Sequence, residues 1–206
     1  MERIALIIII VFFSEFVMAV EEPKYVVLEK SESFELRAYN PRIIAETWIS
    51  GNLNDASRAG FRLIADYIFG NNTVATLGNQ EISLTAPVTT EVEQRSEKVS
   101  MTAPVIMEET EGKWRMHFVM PREYTMEILP KPNNPAVTLR ELPSENYAVI
   151  RFSWLTGEER VTKKTAELIA WLATKNIIPT GNPELARYNP PWTPPFWRRN
   201  EVMVRY

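Results

Sequence analysis

The chain has 206 residues and a formal net charge of −3, and 45% of its residues are hydrophobic. This length corresponds to one ordinary domain with the composition of a folded globular protein. The chain carries no block of lysine and arginine, so nucleic acid is a poor candidate partner. It contains no cysteine, which excludes disulfides, cysteine-ligated zinc and cysteine nucleophiles.

The N-terminal segment has the layout of a secretory signal peptide. A charged start precedes an unbroken apolar run from Ile4 to Phe13, and the small residues Val17 and Ala19 precede a suitable cleavage point. The run is too short to span a bilayer comfortably. An uncleaved membrane anchor and a buried N-terminal element are the alternatives. We expect residues 1–19 to be cleaved, residues 20–206 to form one domain, and the protein to be exported to the periplasm or secreted, with membrane contact only through this segment.

Three β-type runs open the domain, and a helix follows them. The runs are Tyr25–Lys30, Phe34–Tyr39 and Arg42–Ser50. Asn54 or Asp55 is predicted to cap a helix that extends to about Phe69, because apolar residues recur at helical spacing along this segment.

The second half repeats this order. It has β-type runs at Val137–Leu142 and Tyr147–Trp154, and a helix from about Glu158 to Lys175. Short letter matches accompany the order: Leu36-Arg37 with Leu139-Arg140, and Ile49-Ser50-Gly51 with Leu155-Thr156-Gly157. Together they suggest an internal duplication, and the repeated order is the stronger argument.

Between the helices a hexapeptide occurs twice, as SLTAPV at Ser83–Val88 and as SMTAPV at Ser100–Val105. Each copy ends a β-favouring run, and its proline has no backbone N–H to donate to a neighbouring strand. We therefore expect two similarly built strand ends. The run Trp114–Met120 alternates apolar with other residues, as in a half-buried antiparallel strand. Glu184–Tyr188 and Glu201–Tyr206 complete the set of β-type runs. Many strands with two separated helices predict an α+β domain in which an antiparallel curved sheet or barrel is flanked by both helices.

No arrangement of residues is convincing as a catalytic site, and we expect no enzyme. The only histidine, His117, excludes a multi-histidine metal site, and a catalytic triad would have to use it. We interpret it as a strand residue on the less apolar face rather than as a ligand or base. Adjacent carboxylates such as Glu108 and Glu109 diverge on a strand, and we interpret them as solvated charge.

The composition is better suited to binding. Arg58 and Arg62 lie four residues apart on the first predicted helix, and therefore on one side of it. Two guanidinium groups beside Phe61 can hold a ligand that combines carboxylates with an apolar plane. A solvated basic stripe is the alternative interpretation.

Three strings in this chain resemble the signatures of the SOUL heme-binding protein family. They are Lys98–Val105, Phe118–Pro121, and Tyr188–Pro195 followed by Arg199–Val202. Their order matches that of the family, and the resemblance extends from about Tyr25 to Tyr206.

The resemblance implies two similar strand–helix–strand halves that form a distorted antiparallel β-barrel flanked by two helices. It also implies heme or a related tetrapyrrole as a bound ligand, held in an apolar groove near the first helix with the help of basic side chains. Carried over to this chain, the cofactor-binding residues are Arg58, Phe61, Arg62 and Ala65. An axial histidine is not general in the family, and His117 is a weak candidate because it lies on a different element. A general binding module for small hydrophobic effectors and an enzyme acting on a tetrapyrrole are the alternatives.

Overall fold

The computed structural model describes residues 20–74 and 95–206, so the predicted signal segment and the first hexapeptide copy lie outside the described residues. The helices are α1 (Leu53–Ile68) and α2 (Glu158–Thr174), and a short 3-10 helix spans Pro195–Trp197. The strands are β1 (Tyr25–Ser31), β2 (Phe34–Tyr39), β3 (Arg42–Ser50), β4 (Asn72–Thr73), β5 (Val105–Thr110), β6 (Lys113–Val119), β7 (Lys131–Pro132), β8 (Thr138–Leu142), β9 (Glu145–Phe152), β10 (Glu184–Arg187) and β11 (Asn200–Arg205).

The predicted α+β class is confirmed. Nine strands form one antiparallel sheet in the order β1-β2-β9-β11-β10-β5-β6-β3-β8, which curls into a half-barrel, and β4 pairs with β7 separately. The two halves suggested by the duplication stay a prediction. None of the helices in the described ranges is long and apolar enough to cross a membrane.

Both helices pack on the same side of the sheet, over different strands. α1 lies over β3 and β6, and α2 lies over β9 and β11. Because β10 and β5 stand between these pairs in the sheet order, they form the floor of a groove between the helices. α1 is seated closely: a methyl group at Gly60 would lie 2.7 Å from Cδ1 of Ile49 on β3. α2 buries only Leu168 and Leu172 completely.

The start of α1 differs from the prediction. Asn52 has an extended backbone and caps the helix, and its side chain accepts hydrogen bonds from the backbone N–H groups of Asn54 at 3.1 Å and Asp55 at 3.0 Å. An N-cap residue needs this non-helical conformation, whereas Asn54 and Asp55 already lie inside the first turn. The prediction that one of them is the cap was therefore wrong.

The second hexapeptide copy begins a strand, and the prediction that it ends one was wrong. Ser100–Pro104 leads into β5 at Val105, and the Ala103–Pro104 peptide bond is cis. The hydroxyl of Thr102 donates to the carbonyl of Val119 at the end of β6. β5 was not predicted, because the proline of the hexapeptide was expected to end a strand, whereas Val105–Thr110 pairs with both β6 and β10.

β6 is buried on both faces. Met116 and Phe118 face the helices and are fully buried, which agrees with the predicted apolar face. The expectation of a half-buried strand was wrong, because His117 and Val119 on the opposite face are only 1% and 4% exposed. The curling of the sheet covers this inner face.

Candidate ligand-binding groove

A cavity of about 640 Å³ lies in the groove between the two helices. Its apolar lining comes from both helices and four strands and includes Leu53, Met107, Trp114, Val161, Leu185 and Val202. Thr165 of α2 lines the same space. The volume and the apolar floor are typical of small-molecule sites.

The end of the groove near the helix N-termini carries acidic residues. Glu109, Glu111 and Glu158 line the cavity and are exposed. Within the part of the chain that the structure describes, no lysine or arginine lines it. This end therefore favours a neutral or positively charged part of a ligand.

The other end of the groove floor carries a cation, Arg187. On β10 it lies two residues beyond Leu185, and therefore on the same face of the sheet. Its Nη2 donates to Oγ of Ser57 on α1 at 2.6 Å and to Sδ of Met107 at 2.9 Å. No carboxylate among the described residues lies within 4.0 Å of it. Burial, and then the charge of Arg198, lowers the pKa of Arg187.

None of the predicted binding residues on α1 lines this cavity, to which α1 contributes Leu53. Phe61 is one helical turn from Ser57, and its ring packs 5.7 Å from that of Phe118. Arg58 and Arg62 are exposed on the outward side, where Arg58 pairs with Asp55 at 2.5 Å. Ala65 is buried and 8% exposed.

His117 lies on the opposite face of the sheet from the groove. Its side chain is buried, and neither ring nitrogen has a hydrogen-bond partner within the described residues. Burial, followed by the charges of Arg115, Arg42 and Arg140, lowers the pKa of His117 well below its ordinary value. The ring is therefore neutral, and the sheet separates it from any ligand between the helices.

The inner face around His117 carries buried ion pairs. Arg115 contacts Glu108, lies 3.7 Å from Glu46 and lies 3.4 Å from Glu184. Burial raises the pKa of Glu184 to about 7, against the opposing charge of Arg115. Glu108 is 5% exposed, so its interpretation as solvated charge was wrong. Among the described residues, no group of three or more histidine, cysteine or acidic side chains is placed to hold a metal.

A second cavity, of about 580 Å³, lies at one end of the sheet and includes parts of two of the signature strings. Thr102 and the segment Val119–Pro121 line it. The backbone carbonyl of Glu21 accepts a hydrogen bond from Ala103 at 2.9 Å, and the Glu21 carboxylate pairs with Arg122 at 2.6 Å. These contacts tie the N-terminal segment to the strand ends, which is a structural role.

A family model described as SOUL heme-binding protein matches residues 20–205. The chain belongs to the SOUL heme-binding protein family. No curated protein matches this chain.

Solved structures share the fold at low identity. The EcmrR C-terminal domain has a TM-score of 0.57 at 8% identity, over 84% of this chain and 95% of that one. A hydrolase from Listeria innocua has a TM-score of 0.52 at 12% identity, over 86% and 93%. An uncharacterized conserved protein from the same organism has a TM-score of 0.51 at 12% identity, over 85% and 93%. At these identities the likeness concerns the fold alone.

The groove residues of this SOUL-family chain suit a tetrapyrrole. The floor between the helices is apolar, Phe61 packs on Phe118 of β6 outside the cavity lining, and the guanidinium of Arg187 has no carboxylate partner among the described residues. The sulfur of Met107 already accepts a hydrogen bond from Arg187. Among the described residues, no histidine lines the cavity.

Sequence reasoning missed Ser57 and Arg187. They are 130 residues apart in the chain, and only the packing of α1 on the sheet brings them together. The available signal was weak: Arg187 immediately precedes the signature string that begins at Tyr188.

Proposed function

We propose that this protein is an exported carrier or buffer that binds heme or a related tetrapyrrole in the groove beside α1. The observation that carries the proposal is the apolar cavity of about 640 Å³ between α1 and α2, in a chain of the SOUL family. Phe61 supplies an aromatic edge, and Arg58 and Arg62 supply positive charge along the outer side of the same helix. Ala65 lies one turn beyond Phe61 on the same side of the helix.

The position of His117 supports binding without an axial histidine. Its ring is sealed on the inner face of the sheet, and the described residues contain no other histidine. Affinity then comes from burial of the ring and from charge-assisted contacts to its carboxylates.

A hemin titration of the purified protein tests this function. We expect a saturable shift of the Soret band at micromolar protein, which the double variant Arg58→Ala/Arg62→Ala weakens. The variant His117→Leu should leave the shift unchanged, because it removes the imidazole and keeps an apolar side chain of similar volume. If the wild-type protein shows no saturable shift of the Soret band, the proposal is contradicted. If the shift is lost in His117→Leu, binding in the groove without a histidine ligand is contradicted.

The acidic end of the groove favours a second candidate, binding of small hydrophobic cations. Glu109, Glu111 and Glu158 line one end of the cavity and suit a delocalised positive charge better than a porphyrin carboxylate. A thermal-shift panel decides between them. Stabilisation by lipophilic cations but not by porphyrins would select the effector-binding function.

Export is proposed from the sequence of the N-terminal segment, with its apolar run Ile4–Phe13. Cell fractionation and N-terminal sequencing of the native protein test it, and the expected mature N-terminus is Val20. A protein recovered with Met1 in the cytosolic fraction contradicts export. We propose no catalytic role; turnover of a bound porphyrin that depends on one groove glutamate or tyrosine would establish the enzyme alternative instead.

A further inference from the structure

The groove floor differs in charge at its two ends. Glu109 lies two residues beyond Met107 on β5, at the acidic end, and Arg187 lies two residues beyond Leu185 on β10, in the other direction. Met107 and Leu185 are paired across the two strands, and residues two apart on a strand are separated by about 7 Å, so the backbones of Glu109 and Arg187 lie about 14 Å apart along the floor. A ligand with an acidic edge and a neutral body can therefore lie in only one direction.

Arg187 differs from the other shielded arginines of the sheet. Arg37 pairs with Glu201, Arg42 with Glu145, and Arg115 with Glu108. Arg187 is also partly buried, yet its guanidinium contacts only a hydroxyl and a thioether among the described residues. Nε and Nη1 of Arg187 are not among the buried unpartnered atoms of the described residues, so they are open to a ligand whose carboxylate supplies the counter-charge.

The guanidinium is also positioned by its neighbours. Phe118, Val105 and Arg187 are paired across β6, β5 and β10, and so form one row on the helix side of the sheet. Phe61 packs against the first member of this row, and Ser57 hydrogen-bonds the last. Because adjacent strands are about 4.8 Å apart, the backbones of Phe118 and Arg187 are separated by roughly 10 Å. Nε and Nη1 of Arg187 have no hydrogen-bond partner in the described part of the chain and are left to donate to a ligand.

We propose that Arg187, braced by Ser57, binds a ligand carboxylate and thereby sets the orientation of an apolar carboxylic acid in the groove. This inference rests on the proposed tetrapyrrole function, for which the carboxylate is a propionate of the ring. It adds a binding residue on β10 to the candidates on α1. The ring body then lies over the apolar floor, away from the acidic end.

The test compares mesoporphyrin IX with its dimethyl ester, which has the same ring without the negative charges. We expect the wild-type protein to bind the acid at least about tenfold more tightly than the ester, as for one charge-assisted contact. Arg187→Met should abolish this preference and leave ester affinity unchanged, Arg187→Lys should retain part of it, and Ser57→Ala should weaken acid binding a few-fold. Arg151→Met is the control, because Arg151 is an exposed strand arginine outside the groove.

The outcomes separate this inference from the proposed function. Equal affinity for acid and ester in the wild type, or a preference that survives in Arg187→Met, overturns the role of Arg187 while tetrapyrrole binding stands. If neither porphyrin binds, the proposed function fails, and pyrenebutyrate against 1-pyrenebutanol tests the carboxylate site by fluorescence. A preference for the acid that Arg187→Met abolishes then supports the site, and equal binding or no binding of the pair overturns it.

Discussion

Arg37 of β2 and Glu201 of β11 form a bidentate ion pair on the inner face of the sheet, across the intervening strand β9. Nη1 of Arg37 lies 2.7 Å from Oε2 of Glu201, and Nη2 lies 3.0 Å from Oε1. Their side chains are only 2% and 0% exposed. Although burial acts in the opposite direction, the hydrogen bonds and charge of Arg37 hold the pKa of Glu201 below its usual value. Two segments 164 residues apart are thus joined where water is excluded.

Replacing Glu201 by glutamine should destabilise the fold strongly. The change removes the buried carboxylate that pairs with both Arg37 and Arg199 and leaves Arg37 with Glu35 alone, a loss of about 3–5 kcal/mol in the free energy of unfolding. Chemical denaturation at neutral pH measures it. The matched control is Glu167→Gln, which breaks the more exposed Lys164–Glu167 pair on α2 and should cost at most about 1 kcal/mol. Equal losses in the two variants would contradict the importance of the buried pair.

Glu184→Gln should stabilise the protein at alkaline pH and leave it unchanged at acidic pH. The folded pKa is raised from 4.5 to about 7, chiefly by burial, so the folded state keeps a proton that the unfolded chain releases in this window. The contribution of Glu184 to the free energy of unfolding of the wild type is therefore fully present below pH 4.5 and is lost as the pH rises through 7. The variant stays neutral, and its advantage should reach on the order of 3 kcal/mol above pH 7. Chemical denaturation between pH 4.5 and 8 measures the free energy of unfolding of both proteins. If it changes with pH in the same way in the wild type and in Glu184→Gln, this effect is excluded.

His117→Leu should have the opposite pH signature. The pKa of His117 is lowered from 6.5, so the unfolded chain binds a proton that the folded state rejects. Its contribution to stability is present above pH 6.5 and is lost as the pH falls below that value. Because neither ring nitrogen has a partner among the described residues, leucine should be neutral or stabilising at pH 7. Thermal unfolding from pH 5 to 8 measures this; a variant that loses stability at acidic pH as steeply as the wild type contradicts it.

Filling the groove should block the ligand. Thr165 of α2 lines the cavity, so Thr165→Trp should weaken hemin binding by more than about tenfold by occupying the apolar space that the ring needs. Ala166→Trp is the matched control, because Ala166 is exposed on α2 outside the cavity lining. Both variants should show the same circular dichroism spectrum as the wild type. Equal hemin affinity in the two variants would place the ligand elsewhere.

Local sequence patterns predicted most of the secondary structure. The bounds of β2 and β3 agree with the prediction, α2 is within one residue of it at each end, and α1 is within one residue of it at the C-terminal end. Alternation and helical periodicity are local consequences of backbone geometry, so the sequence records them directly. β5 was missed although Val105, Ile106 and Thr110 favour strands, because the preceding proline was interpreted as the end of a strand; its pairing with β6 and β10 is a tertiary feature.

The sequence by itself determined most of the elements, the family and the absence of cysteine chemistry. The tertiary structure alone decided which side chains are withdrawn from water and what they contact there. His117 is neutral because the sheet curls over it, and Glu184 titrates near neutrality for the same reason. Arg187 meets Ser57 because α1 is seated on the sheet at Gly60. Burial and long-range contacts arise from the packing of distant segments, and no local spacing of residues encodes them.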